Sequence, residues 1–240
     1  LDWYVSNDGS DLNVGDQENP FATIQYGIDI AVEGGMVNVA PGTYHGEGNI
    51  NLDFDGNAIT LISEAGPEQT IIDCGGTDRG FTFNSGENST SVLDGFTITN
   101  GNRSEGGGIY CYYSSPTIKN CIITNNTADD GGGINCFYSS PTIKNCIISS
   151  NSASQSGGGI YLVNSNANIT NSSIEYNYAY GGGGGILISS NSIIEIQNVN
   201  FIGNNTSAAA GGAIYIGGQS AAHIYYSLFS EYDLPYETHP

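Results

Sequence analysis

Apolar residues in the central part of the chain alternate over very short runs. Ile109 and Cys111 are interleaved with Tyr110 and Tyr112, and the next apolar position, Ile118, is flanked by Lys119. A period of two over three or four residues predicts strands, because helices place apolar residues three and four apart. Glycine runs, Asn and Ser-Ser-Pro separate these runs, as turns require. The pattern also repeats at long range. Ser114–Ile123 and Ser139–Ile148 carry the same ten residues, 25 positions apart. Gly-Gly-Gly-Ile ends at Ile109, Ile134, Ile160 and Ile186 and returns as Gly-Gly-Ala-Ile at Ile214. Further columns run Ile118, Ile143, Ile169, Ile196, Ile224; Asn120, Asn145, Asn171, Asn198; and Asn126, Asn151, Asn177, Asn204.

A unit of about 25 residues with two or three strands is too short for helical repeats or propeller blades. It predicts an all-β, right-handed parallel β-helix of about eight coils over residues 36–230. In such a stack the Ile columns form the core. The Asn columns chain amides from coil to coil, and the Gly columns serve the sharpest corner. Residues 231–240 read as an irregular tail. Residues 1–35 read as a strand (Trp3–Ser6), a polar loop and a capping helix from Phe21 to Val32. Asn19 is the expected N-cap, Pro20 the first helical residue and Gly34-Gly35 the stop. A helix in front of Met36–Ala40 would cover the open end of the core.

Composition narrows the partners. Four Lys and Arg against 24 Asp and Glu give a formal charge of −20. Nucleic acid and anionic membrane surfaces need a basic footprint that this chain lacks, and no apolar run is long enough to insert in a membrane. The charge suits a secreted, extracellular or cell-surface repeat protein receptive to divalent cations. The start at Leu1 is read as a processed or trimmed end. Cys111 and Cys136, like Cys121 and Cys146, are 25 apart and face inward. They read first as a buried thiol ladder and second as stacked disulfides.

The run Trp3-Tyr4-Val5, then Asn19-Pro20-Phe21-Ala22-Thr23-Ile24-Gln25, then Val37 to Tyr44, resembles the opening segment of secreted pectin-lyase-like right-handed β-helix proteins. Gly-Gly-Ala-Ile at Gly211–Ile214 and Phe-x-x-Asn at Phe201–Asn204 resemble the repeats of chlamydial polymorphic membrane protein adhesins. The first resemblance implies, for a lyase, an outward basic proton abstractor beside acidic residues that hold calcium. Lys119 and Lys144 face outward but are copies of one repeat position, with no acidic neighbour in their own runs. Arg79, beside Asp73 and Asp78, meets the requirement better.

Other chemistry can be placed by residue type. A hydrolase needs converging carboxylates, and Asp129-Asp130 is the adjacent acidic pair, with Glu105 stacking near Asp129 from the preceding coil. The same three residues form a weak calcium site. The loop carrying Asp8, Asp11 and Asp16 offers a second, since hard cations take such oxygen ligands, although it lacks the closing Glu of an EF-hand. Its default reading is an Asx-rich turn. No cofactor is required, and calcium is the cation these groups would take. The glycine runs recur with the solenoid period and are not followed by Lys-Ser/Thr, which excludes a phosphate loop. The column Tyr110, Asn135, Tyr161, Leu187, Tyr215, flanked by Tyr112 and Phe137, forms an outward aromatic face for sugar rings, a protein partner or another copy of the chain. These residues can equally pack on one another along the sheet. The sequence therefore reads as a non-catalytic structural or adhesive β-helix, able to assemble into filaments. The alternatives are a secreted polysaccharide lyase or glycoside hydrolase, and a glycan-binding module.

Overall fold

The computed structural model describes residues 2–208 and 210–230. The expected tail at 231–240 lies outside them. The fold is an all-β right-handed parallel solenoid of about seven turns, one fewer than the repeat spacing suggested. Three sheets run along it, of 15, seven and five strands. The seven-stranded sheet sets the number of turns. Its first strand, Leu52–Asp53, packs on the only helix among the described residues, so the helix takes the place of an earlier coil.

A central coil has four strands rather than two or three: Thr117–Lys119, Ile122–Thr124, Thr127–Asp130 and Ile134–Phe137. Toward the C-terminal coils the first two fuse into single bent strands, Asn168–Glu175 and Ile193–Ile202. Repeat positions coincide with strand register. Ile118 sits opposite Ile143, Cys111 opposite Cys136, and Ile134 opposite Ile160. Each alternation places one apolar residue per pleat inside, and the Ile columns through Ile109, Ile118 and Ile123 have no exposed surface up to the last coil, where Ile214 is half-buried and Ile224 exposed. At about 25 cal/mol per Å² of apolar area, this stacking supplies the main drive for folding.

The corners explain the polar columns. Gly106, Gly131, Gly157 and Gly183 all hold φ between 60° and 65°, which an L side chain adopts only under strain. The next glycine is required for a different reason. A Cβ on Gly132 would lie 2.5 Å from the carbonyl oxygens of Gly158 and Ser152. Asn126, Asn151, Asn177 and Asn204 are fully buried. Asn126 Nδ2 donates to Asn151 Oδ1 and to the Ile98 carbonyl, each at 3.0 Å, while the Asn126 amide donates to the same Asn151 Oδ1. Asn151 and Asn177 repeat this pattern one coil on. A second buried ladder, which sequence reading had taken only as a turn, runs through Ser114, Ser139, Ser165 and Ser192. Each backbone amide donates to the next serine hydroxyl at 2.9–3.1 Å.

The cap differs from expectation in its bounds. The helix covers Ile24–Ile30, with Thr23 as N-cap and Ala31 as C-cap. Phe21 is instead a buried residue bridged to Val5. Asp11 causes the shift: its carboxylate accepts from the amides of Ala22 and Thr23, both at 2.9 Å, and from Thr23 Oγ1 at 2.8 Å. That network fixes Thr23 outside the helix. The first strand, Asp2–Val5, pairs in parallel with Met36–Val39, so the N-terminal segment is part of the long sheet. All five cysteines are buried free thiols; Cys111 stacks on Cys136 and Cys121 lies beside Cys146, as the ladder reading anticipated, while Cys74 stands outside the ladder.

Candidate functional site: a polar groove beside a carboxylate corner

The five-stranded sheet carries small polar side chains on its outer surface: Asn102 and Ser104, Thr127 and Asp129, Ser152 and Ser154. Two adjoining cavities of about 410 and 500 Å³ lie over it and share Gly76, Asn102 and Thr127. The groove crosses four successive coils, from Gly76 through Asn102 and Thr127 to Ser154. Its length is about 14 Å at about 4.8 Å per coil.

The charged groups at its rim are paired with one another. Arg103 makes a bidentate contact with Asp78, Nε and Nη2 each 2.7 Å from a carboxylate oxygen. Burial pushes the Asp78 carboxyl upward, but the Arg103 hydrogen bond, the Arg79 amide and the charges of both arginines together outweigh it and hold it below the ordinary range. Asp73 accepts from Asn100 Nδ2 at 2.8 Å and from the Gly75 amide at 3.0 Å. Asp129 accepts from Ser154 Oγ at 2.7 Å.

At the glycine corner beyond the groove, Glu105 stacks on Asp130 and not on Asp129 as expected: the pairing keeps the offset of 25 residues along the whole strand, from Asn102 opposite Thr127 to Glu105 opposite Asp130. Burial raises the Asp130 pKa, and the charges of Asp129 and Glu105 add to the rise. Tyr110 lies beside Glu105, and its hydroxyl is pushed up to about 12, first by burial and then by that carboxylate. Arg79 meets Asp78 through its backbone amide, at 2.9 Å, and not through its side chain. Its guanidinium carbon lies 4.8 Å from the centre of the Tyr110 ring, and burial lowers its pKa. Two predicted sets, the aromatic column and the carboxylates, thus meet at one corner, where Tyr110 lies in the field of Glu105.

The aromatic column is less open than expected. Tyr110 and Tyr161 are half-buried, and Asn135 has no exposed surface. Tyr112 and Tyr215 are exposed. The more exposed rings nearby, Tyr113 and Tyr138, were not singled out by sequence. They hold φ of 50° at a corner and stack at 4.7 Å with planes 5° apart. Tyr112 meets Tyr113 edge-on at 4.6 Å, and Phe137 meets Tyr161 edge-on at 6.1 Å. These rings turn much of their faces toward each other. The long sheet supplies the remaining bases: Lys119 Nζ lies 3.1 Å from Asp94 of the preceding coil, an acidic neighbour invisible within its own run. Lys144 has no ion pair among the described residues.

Calcium is the metal that the fold resemblance implies. At the glycine corner its oxygen donors would be Glu105 and Asp130, with Asp129 turned to Ser154. In the N-terminal loop, Asp11 is committed to the helix cap and Asp16 to the amides of Glu18 and Asn19. Among the described residues no three Asp, Glu, His or Cys side chains converge to hold a metal ion. This donor set does not form a cage for calcium, which takes six to eight oxygens.

Residues 3–161 match the family model described as the Pel9A-like, right-handed beta helix region. The chain belongs to the Pel9A-like β-helix family. It is similar to the crystal structure of pectate lyase Pel9A, with a TM-score of 0.69 and 18% identity over 93% of this chain and 61% of that one. This Pel9A-like chain thus spans about three fifths of that structure's length. A rhamnogalacturonan lyase structure is similar at a TM-score of 0.38 and 13% identity, over 90% of this chain and 84% of that one. No curated protein matches the sequence. No helix among the described residues is long and apolar enough to cross a membrane.

Proposed function

We propose that the chain is an extracellular β-helix module that binds polysaccharide without cleaving it, in an adhesive or matrix role. The observation that carries this reading is the groove over the five-stranded sheet. It is lined by amides and hydroxyls suited to sugar hydroxyls, and its one basic side chain, Arg103, is tied to Asp78. Elimination from a uronide needs a base free to take a proton, and a bidentate guanidinium is a poor one. Fold alone does not transfer the activity of a lyase. The adhesin-like Gly-Gly-Ala-Ile and Phe-x-x-Asn blocks support the adhesive role.

A second reading, a polysaccharide lyase, is favoured by the family. It requires Lys144, exposed and without an ion pair, to act as the base. The test is incubation with polygalacturonate and rhamnogalacturonan, with and without calcium, following ultraviolet absorbance of unsaturated product. Flat traces together with retardation on a polysaccharide-containing gel support the binding reading. Turnover that disappears in Lys144→Ala replaces it with the lyase reading.

A further inference from the structure

We infer that the groove takes a linear, uncharged polysaccharide. The inference rests on the binding reading above and specifies its ligand class. Three observations point the same way. The groove is continuous over four coils, so it can hold several sugar units in a row. Its floor offers Asn100, Asn102, Asn125, Thr127 and Ser154, which both donate and accept hydrogen bonds as sugar hydroxyls do. Its charged groups are held in place: Asp78 is paired with Arg103, while Asp73, bonded to the Gly75 amide and Asn100, and Asp129, bonded to Ser154, keep their negative charge.

A polyanion would meet Asp73 and Asp129 at the rim, in the field of a chain carrying a net charge of −20, with no free cation in the groove to receive it. A polycation would find carboxylates already committed, and its attraction would be long-range and screened by salt. An extended peptide is excluded for a different reason. Thr127–Asp130 is paired on both sides, with Asn102–Glu105 and Ser152–Ser156, and the edge strand Asn102–Glu105 is met by the preceding loop, its Asn102 amide donating to the Asp78 carbonyl at 2.8 Å and the Gly76 amide to the Asn100 carbonyl at 2.7 Å.

The test is affinity electrophoresis in gels containing galactan, mannan or mixed-linkage glucan as neutral probes. Polygalacturonate with and without calcium, and chitosan, serve as charged ones, each at low and high salt. The expected result is retardation by at least one neutral polymer, unchanged by salt, and weakened about tenfold in both Asn102→Ala and Thr127→Ala. Both positions are exposed, and thermal melts check that the variants remain folded. Tyr138→Ala, on a different corner, should bind as the parent does. Binding of polygalacturonate or chitosan in preference overturns the neutral-ligand inference and leaves the binding reading standing. Loss of binding in Tyr138→Ala but not in the groove variants overturns the site. Retardation by none of the polymers overturns both.

Discussion

At the scale of single residues, two groups show how the stack sets the chemistry of a side chain. Asn151 makes its bonds only because Asn126 and Asn177 lie one coil to either side. Asn151→Ala leaves the Asn126 amide without its acceptor and takes one donor from each of the Ile123 carbonyl and Asn177 Oδ1, in a site closed to water. At about 1–3 kcal/mol per unsatisfied group, urea denaturation should show a loss of about 3 kcal/mol or more, and a loss under 1 kcal/mol would mean the ladder is dispensable. Asp130 behaves differently. Its pKa is raised in the folded chain, so the folded state binds the proton more tightly than the unfolded state. Its contribution is therefore most favourable below the ordinary carboxylate range and is lost as pH rises through the folded pKa. Asp130→Asn should raise the melting temperature at neutral pH, and the gain should vanish in acid, below the ordinary aspartate pKa. A gain independent of pH would remove the electrostatic explanation.

At the scale of elements, the seven-residue helix is too short to be stable alone. It persists because Ile24 and Ile28 are buried on the end of the core and because Asp11 holds its first turn. Asp11→Ala removes three hydrogen bonds to that turn. Unfolding should become easier by about 2 kcal/mol, the upper range for loss of a cap, equally with calcium and with a chelator. Dependence on calcium would make Asp11 a metal ligand and not a cap anchor.

At the scale of the molecule, a rod with four basic and 24 acidic residues repels itself. Raising ionic strength from low values to about 0.15 M shortens the screening length to about 8 Å. The melting temperature should rise over that range with chloride salts of sodium or potassium alike, as a differential scan can show. A fall would mean that the local pairs Asp78–Arg103 and Asp94–Lys119 outweigh the global repulsion.

The sequence by itself determined the solenoid, most of its registers and its buried asparagine ladder. A repeat that stacks on itself writes each inter-coil contact into the chain as a fixed spacing, so Ile118 opposite Ile143 and Asn126 on Asn151 are legible as columns. The tertiary structure decided what the spacing does not encode. Whether Tyr110 faces water depends on Arg79, which lies in another coil outside the column. One coil on, Ala128 meets Ala153 but Asp130 meets Ser156, a register shift that no period announces. Lys119 finds Asp94, and Arg103 finds Asp78, across coil steps of 25 residues that conceal the partner from either run. The groove arises from the same source. Its walls come from residues that are unremarkable in sequence, such as Gly76, Asn102 and Thr127, and only the stacking of four coils brings them to one surface.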